Sequence, residues 1–370
     1  MQVQSPLPIR NGCVPQGGSP VEDAGKRGPS SRLPSLLGEV EVSEDYIIEV
    51  ENLKKHFPLK KGFFESIVSK QEITVKAVDG VSFNVKKGEI LGLAGESGSG
   101  KTTIGRLLLR LVKPTEGSIY FNGKDITKMK DSELKPLRRE IQIIFQDPYE
   151  SLDPRMTIKE IIAEPLRVQK ICKNEEEVEE RVKAIMNDVE VTPPEEFMHR
   201  FPHELSGGQR QRIAVARAFV LGPKFVVADE PVSMLDVSIR AEILNLMIDL
   251  VKKRGSSVVL ITHDLAVSKH VCDRVVVMYL GKMMEMAGSS ELIDSPLHPY
   301  TQALIAAVPV PDPNYKRNDV IGGEIPSPIN PPPGCRFNTR CPYAHERCTI
   351  EEPAFVEVEK GHYVACHLYT

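Results

Sequence analysis

Apolar residues at the front of the chain fall into short runs, at 46–50, 74–78, 81–85 and 90–94, each the length of a strand. The run at 90–94 leads into a helical pattern that places Ile104, Leu107, Leu108 and Leu111 on one face. Farther on, Val178, Val182, Ile185, Met186 and Val189 recur at helical spacing between Glu and Lys residues. This predicts an amphipathic helix within a mostly helical insertion over about residues 147–205. Continuous apolar runs return at 225–228 and 257–262, the pattern of strands buried on both faces. The order of elements predicts an α/β fold whose parallel core is preceded by a smaller β-rich portion.

Both ends of the chain differ from this middle. Residues 1–44 are rich in Pro, Gly and Ser, with too few apolar side chains to offset the entropy of ordering them. They read as a disordered tail or as a stretch ahead of the true start. Past about residue 286 proline becomes dense, with Pro326, Pro328, Pro331, Pro332 and Pro333 close together. The segment 286–370 is therefore expected to be loop-rich and held by something other than a regular core. No apolar run reaches the ~18 residues of a membrane span, and the start lacks a secretory pattern, so a cytoplasmic chain is expected. A net charge of −4, with Lys and Arg spread rather than striped, leaves no footprint for nucleic acid.

The chemistry is concentrated in three places. The strand run at 90–94 opens into Gly95-Glu96-Ser97-Gly98-Ser99-Gly100-Lys101-Thr102-Thr103 and then a helix, the strand, Gly-rich turn and helix of a phosphate loop. Its glycines let successive N–H groups and the helix N-terminus face phosphates. Lys101 adds a charge for the β and γ phosphates, and Thr102 a hydroxyl for magnesium. The second place is Asp229-Glu230, two carboxylates delivered at the end of a buried strand, where acids are expensive unless a cation or a reaction needs them. Asp229 reads as a partner of magnesium and Glu230 as the general base that polarises water. The third is Leu205-Ser206-Gly207-Gly208-Gln209 ahead of a helix, with Ser206 as N-cap and the glycines leaving the N-terminal amides open to an anion.

At this pentapeptide the chain resembles the ABC ATPase family, which implies a P-loop NTPase core with an antiparallel β subdomain and a helical subdomain over about 147–205, together spanning 45–285. The resemblance matches Gln146 to a glutamine that senses magnesium and the γ-phosphate, and His263 to a histidine that contacts that phosphate. It matches residues 233–236, ending at Asp236, to a loop that crosses a dimer interface, and Phe57 to an aromatic that stacks on adenine, although Phe57 reads equally as a core residue. It implies that Ser206, Gly207, Gly208 and Gln209 close over ATP held by a partner chain. The segments 145–156 and 298–304 look like those of dipeptide/oligopeptide importer ATPases, and 105–111 like the second of the two ATPases that such importers pair. Implied partners are a second ATPase, two transmembrane permeases and an extracellular substrate-binding protein, with the chain peripheral at the cytoplasmic face of the membrane. An oligosaccharide or metal-chelate importer is the alternative cargo class. A scaffold that binds nucleotide without hydrolysis fits poorly, because Glu230 and His263 are both present.

Four of the seven cysteines, Cys335, Cys341, Cys348 and Cys366, lie in the last stretch of the chain. In a reduced compartment they read as a ligand set rather than a disulfide framework. Their gaps are wider than those of zinc ribbons, and both zinc and an iron–sulfur cluster take four thiolates. The resemblance of this tail to the peptide importer ATPases implies a [4Fe–4S] cluster, with zinc as the lesser alternative. Cys13, Cys172 and Cys272 have no partner pattern. His345, His362 and His367 lie near the cluster and read as surface histidines first and as substitute ligands second.

Overall fold

The computed structural model describes residues 45–59, 74–307 and 322–370, with the side chains of 149 and 150 left aside; the tail expected over 1–44 lies outside them. Two long strands, β1 (Tyr46–Pro58) and β2 (Thr74–Lys86), pair antiparallel and form a four-stranded sheet with β4 (Glu116–Phe121) and β5 (Lys124–Asp125). The runs at 74–78 and 81–85 are thus one strand. Its register against β1 shifts around Gly80, where φ is +83°, so a bulge absorbs the break in the pattern.

The second sheet is centred on β3 (Ile90–Ala94), buried throughout. Parallel neighbours are β8 (Ser257–Ile261) on one side, followed by β7 (Phe225–Asp229) and β6 (Ile141–Ile144), and β9 (Arg274–Tyr279) on the other. Alternate residues of the central strands feed two cores. Ile90, Ala94, Val226, Ala228, Val258 and Leu260 face one cluster, and Leu91, Leu93, Phe225, Val227, Val259 and Ile261 the other. This alternation explains why the sequence shows unbroken apolar runs there.

The Lys101–Leu108 helix lies against the second core, with Ile104, Leu107 and Leu108 fully buried. Leu111 does not join them. Arg110 adopts a left-handed φ of +51°, the helix stops, and Leu111 is half exposed. The helices Ile158–Val168, Glu175–Asp188 and Gly207–Phe219 pack over the first core, with Val178, Val182, Ile185 and Met186 buried.

The proline-rich segment departs most from expectation, because it contributes to the regular core. Beyond β10 (Lys282–Gly288), antiparallel to β9, the strands β11 (Val356–Glu359) and β12 (His362–Val364) continue the same sheet, which therefore has eight strands in the order β11-β12-β10-β9-β3-β8-β7-β6. Tyr300 and Phe337 are buried against Tyr279, with ring centroids 4.7–5.4 Å apart. Such contacts add about 0.5–1.5 kcal/mol per pair beyond burial alone. Nor are His362 and His367 on the surface: both are buried, and the His362 Nε2 lies 2.7 Å from the fully buried Glu285. Glu285 also accepts the N–H groups of Leu297 and His298, fixing the start of the Pro299–Ala306 helix.

His298 caps that helix by accepting the Tyr300 N–H on Nδ1, and burial pushes its pKa from 6.5 down to about 3. The folded chain thus keeps a neutral imidazole where the unfolded chain takes up a proton. This stabilisation is complete above about pH 6.5 and is lost as pH falls toward the folded value. We expect His298→Asn, which retains a cap acceptor, to show a pH 7.5-to-5.5 drop in unfolding free energy smaller by about 1.4 kcal/mol than the unmodified chain, as read by urea melts.

Candidate functional site

The phosphate loop leaves β3 and passes between two other strands at contact distance. A Cβ on Gly95 would lie 2.2 Å from the Met278 carbonyl oxygen, and one on Gly100 2.2 Å from that of Ala77; both glycines have positive φ. The loop is therefore wedged between β9 and β2 and closed to any larger residue at these positions. Ser97 and Gly98 form its exposed tip, and Ser99 is buried. Lys101 and Thr102 open the helix, with Thr103 next, so their side chains and amides sit at its positive end. The Lys101 ammonium is buried and donates to the carbonyls of Gly95 (2.7 Å) and Glu96 (2.9 Å). Burial lowers its pKa, and the nearby Glu230, Asp229 and Glu96 charges partly offset this.

The other half of the site comes from the end of β7. Asp229 accepts the Thr102 hydroxyl at 3.0 Å, and burial raises its pKa. Glu230 is held at a left-handed φ of +45°. Its N–H donates to the Ile261 carbonyl, and its own carbonyl accepts the Ser233 amide and hydroxyl, which together hold the unfavourable backbone. Its carboxylate oxygen Oε2 accepts the Gln146 side-chain amide at 3.2 Å and lies 3.2 Å from His263 Nδ1. Residues from four separate segments, Lys101/Thr102, Gln146, Asp229/Glu230 and His263, thus meet at one edge of the parallel sheet.

The signature residues form a separate surface. Ser206 and Gln209 make a reciprocal cap, the Ser206 hydroxyl accepting the Gln209 N–H and the Gln209 side chain accepting the Ser206 N–H. A Cβ on Gly208 would come within 2.9 Å of Ile239, and one on Gly207 would touch Leu235. This helix start therefore packs on the loop ending at Asp236, which is exposed and caps the Val237–Arg254 helix without a side-chain bond. Among the described residues no hydrogen bond joins Ser206–Gln209 or Asp236 to the phosphate loop. Phe57 is 38 % exposed, with the Lys55 ammonium 4.9 Å above its ring, an edge position rather than a core one.

Several residues at the site carry no sequence signal. The Glu96 N–H donates to the Tyr300 hydroxyl at 2.9 Å, and the Glu96 carboxylate accepts both Arg340 nitrogens at 2.8 and 3.1 Å. Asp79 accepts Arg336 at 2.6 Å and lies 3.0 Å from His56. Both arginines lie between Cys335 and Cys341, but isolated arginines without a period or a spacing partner do not announce what they bind.

The four C-terminal cysteines cluster as well. Cys335, Cys348 and Cys366 are buried and Cys341 half-buried, and the Cys335 N–H donates to the Cys348 carbonyl. Burial pushes Cys335 up to about 12 and raises Cys341 and Cys366, and neighbouring thiols of the set add to each shift. The backbone of Phe337, Tyr343 and Leu368, each two residues on, works against these rises without overcoming them.

Comparison with known proteins matches residues 78–233 to the ABC transporter family and 284–348 to the oligopeptide/dipeptide transporter C-terminal region. The oligopeptide transport ATP-binding protein AppF of Bacillus subtilis is 50 % identical over 335 residues, 89 % of this chain and 99 % of that one. A putative peptide import ATP-binding protein of Brucella ovis is 48 % identical over 88 % of this chain and 98 % of its own. Among solved structures, the post-hydrolysis dimer of the ATP-binding cassette MJ0796 with ADP and Pi is similar at a TM-score of 0.57 and 30 % identity, over 65 % of this chain and 98 % of that one. The cbiO1 structure from Clostridium perfringens gives 0.58 and 27 %, over 68 % and 92 %. The chain therefore belongs to the ABC transporter family, as an ATPase of the oligopeptide-transport type.

Proposed function

We propose that this chain binds MgATP at the phosphate loop and hydrolyses it to drive peptide uptake through separate membrane permeases. The observation that carries the reading is the meeting of Thr102, Asp229, Glu230, Gln146 and His263 at the carboxyl ends of β3, β6, β7 and β8. Lys101 exchanges its two loop carbonyls for the β and γ phosphates, while the remaining amides of 97–103 cradle the chain of phosphates. Thr102 and Asp229 hold magnesium with Gln146 beside them, and the ion supplies neutralisation of the phosphate charge. Glu230 accepts the proton of the attacking water, and His263 and Gln146 orient its carboxylate. Phe57, at the edge of the first sheet, takes the adenine.

Peptide cargo is supported by the names of the relatives and by the C-terminal region. No helix of the described residues is long and apolar enough to cross a membrane, so permease subunits are separate chains on this reading, with the ATPase peripheral at the cytoplasmic face and an extracellular binding protein supplying cargo. A second ATPase faces this one. Met234 and Val237, 63 % and 79 % exposed beside Asp236, are apolar surface suited to that contact. A groove lined by Gln142, Phe145, Leu152, Pro165 and Arg217 lies next to Gln146 and suits a permease segment.

The four cysteines fit a [4Fe–4S] cluster, which here would serve as a cross-link for the tail. Four cysteines, three buried and one half-buried, supply the four thiolates that such a cluster takes. Among the described residues the one grouping of three His, Cys or carboxylate atoms within 4.8 Å is Glu291, Glu359 and His362. Cys335, Cys341, Cys348 and Cys366 are not part of that grouping.

Three measurements test this. Glu230→Gln should retain MgATP, seen as nucleotide carried through a desalting column, while turnover falls by about 10²–10⁴-fold; unchanged turnover would refute the base. Met234→Asp with Val237→Asp should abolish association with the second ATPase on gel filtration in MgATP, and intact association would remove that face from the interface. Protein purified without oxygen should carry about four iron and four sulfide per chain, lost in Cys335→Ser, whereas zinc or no metal refutes the cluster.

A further inference from the structure

The loop between the first two cysteines, 335–341, reaches the nucleotide half of the chain at two points. Arg340 grips both oxygens of Glu96, the second residue of the phosphate loop, and also donates to the Tyr279 hydroxyl at 3.2 Å. Its guanidinium lies 5.7 and 5.8 Å from the ring centres of Tyr279 and Phe337, and its side chain is 5 % exposed. Arg336, four residues earlier, binds Asp79 on β2, and Asp79 holds His56, the neighbour of Phe57. One short loop, tied at both ends to the thiol site, therefore touches the phosphate loop through Arg340 and β2 through Arg336.

The charges make the phosphate-side contact specific. Glu96 brings a carboxylate into a loop built to receive several phosphate charges, and an unpaired carboxylate there opposes the ligand. Its carbonyl accepts Lys101 and its N–H is committed to Tyr300, so the backbone that shapes the loop and the lysine that meets the phosphates both turn on where Glu96 sits. A bidentate arginine fixes that carboxylate in place and cancels its charge.

We infer that Arg340 is a positioning residue for ATP: acting through Glu96, it sets the affinity of this phosphate loop, so that the cysteine-bearing loop tunes nucleotide binding without touching the nucleotide. The inference rests on the ATP reading above and deepens it. Arg336, bound to Asp79, holds the other end of the same loop against β2.

The test is equilibrium titration of the full-length chain with MgATP, read as both Kd and number of sites per chain. Arg340→Met should raise Kd about tenfold with the number of sites unchanged. Arg340→Lys, which keeps the charge but not the fork, should fall between the two. Adding Glu96→Gln to Arg340→Met removes the exposed carboxylate and should bring Kd back to within about threefold of the unmodified chain. An unchanged Kd in Arg340→Met, beside abolished binding in Lys101→Ala, overturns the inference and leaves the ATP reading standing. Fewer sites at unchanged Kd, or no recovery in the double variant, also overturns it, because a role confined to folding gives those results.

Discussion

The structure depends on keeping ionised groups at the end of a sheet whose central strands are shut off from water. Lys101 and Asp229 both lie where burial opposes their charged forms, driving the pKa of the first down and of the second up. Removing lone charges from water is tolerable only when every one of them has polar company. The site provides it internally, through loop carbonyls for Lys101, the Thr102 hydroxyl for Asp229, and Gln146 and His263 for Glu230.

That requirement explains the tightness around the phosphate loop. Gly95 and Gly100 abut carbonyls of Met278 and Ala77, and Gly281 donates its N–H to the Ser99 carbonyl. The loop is braced by β2 on one side and by the β9–β10 turn on the other. The C-terminal extension reinforces the same brace through Tyr300, Phe337 and Arg340, joining the site from the face where the parallel strands give way to antiparallel ones.

Most of the chemistry was legible in the sequence because it is local. A Gly-rich turn between a strand run and a helix, paired acids ending an apolar run, and a Ser-Gly-Gly helix cap are each set by a few adjacent residues. The main strand and helix runs were legible for the same reason, since periods of two and 3.6 survive in any window. What was missed is non-local or depends on one backbone angle. Leu111 fits the helical face by spacing, yet Arg110 turns left-handed one residue before it. The prolines of the extension masked Tyr300, Phe337, Val364 and His362, whose burial comes from a sheet and an aromatic cluster assembled across distant segments. The Arg340–Glu96 and Arg336–Asp79 pairs join residues 244 and 257 positions apart, and no window of sequence spans that.

These separations also bear on how the chain acquires its shape during synthesis. The ribosome releases the phosphate loop 244 residues ahead of Arg340, and β10 well ahead of β12, so each first emerges without its later partner. Contacts of such long range close slowly, because the chain entropy of the intervening segment must be overcome first. The clamp on Glu96 therefore belongs to the late, slow part of folding, after the local turns and helices around the phosphate loop have formed.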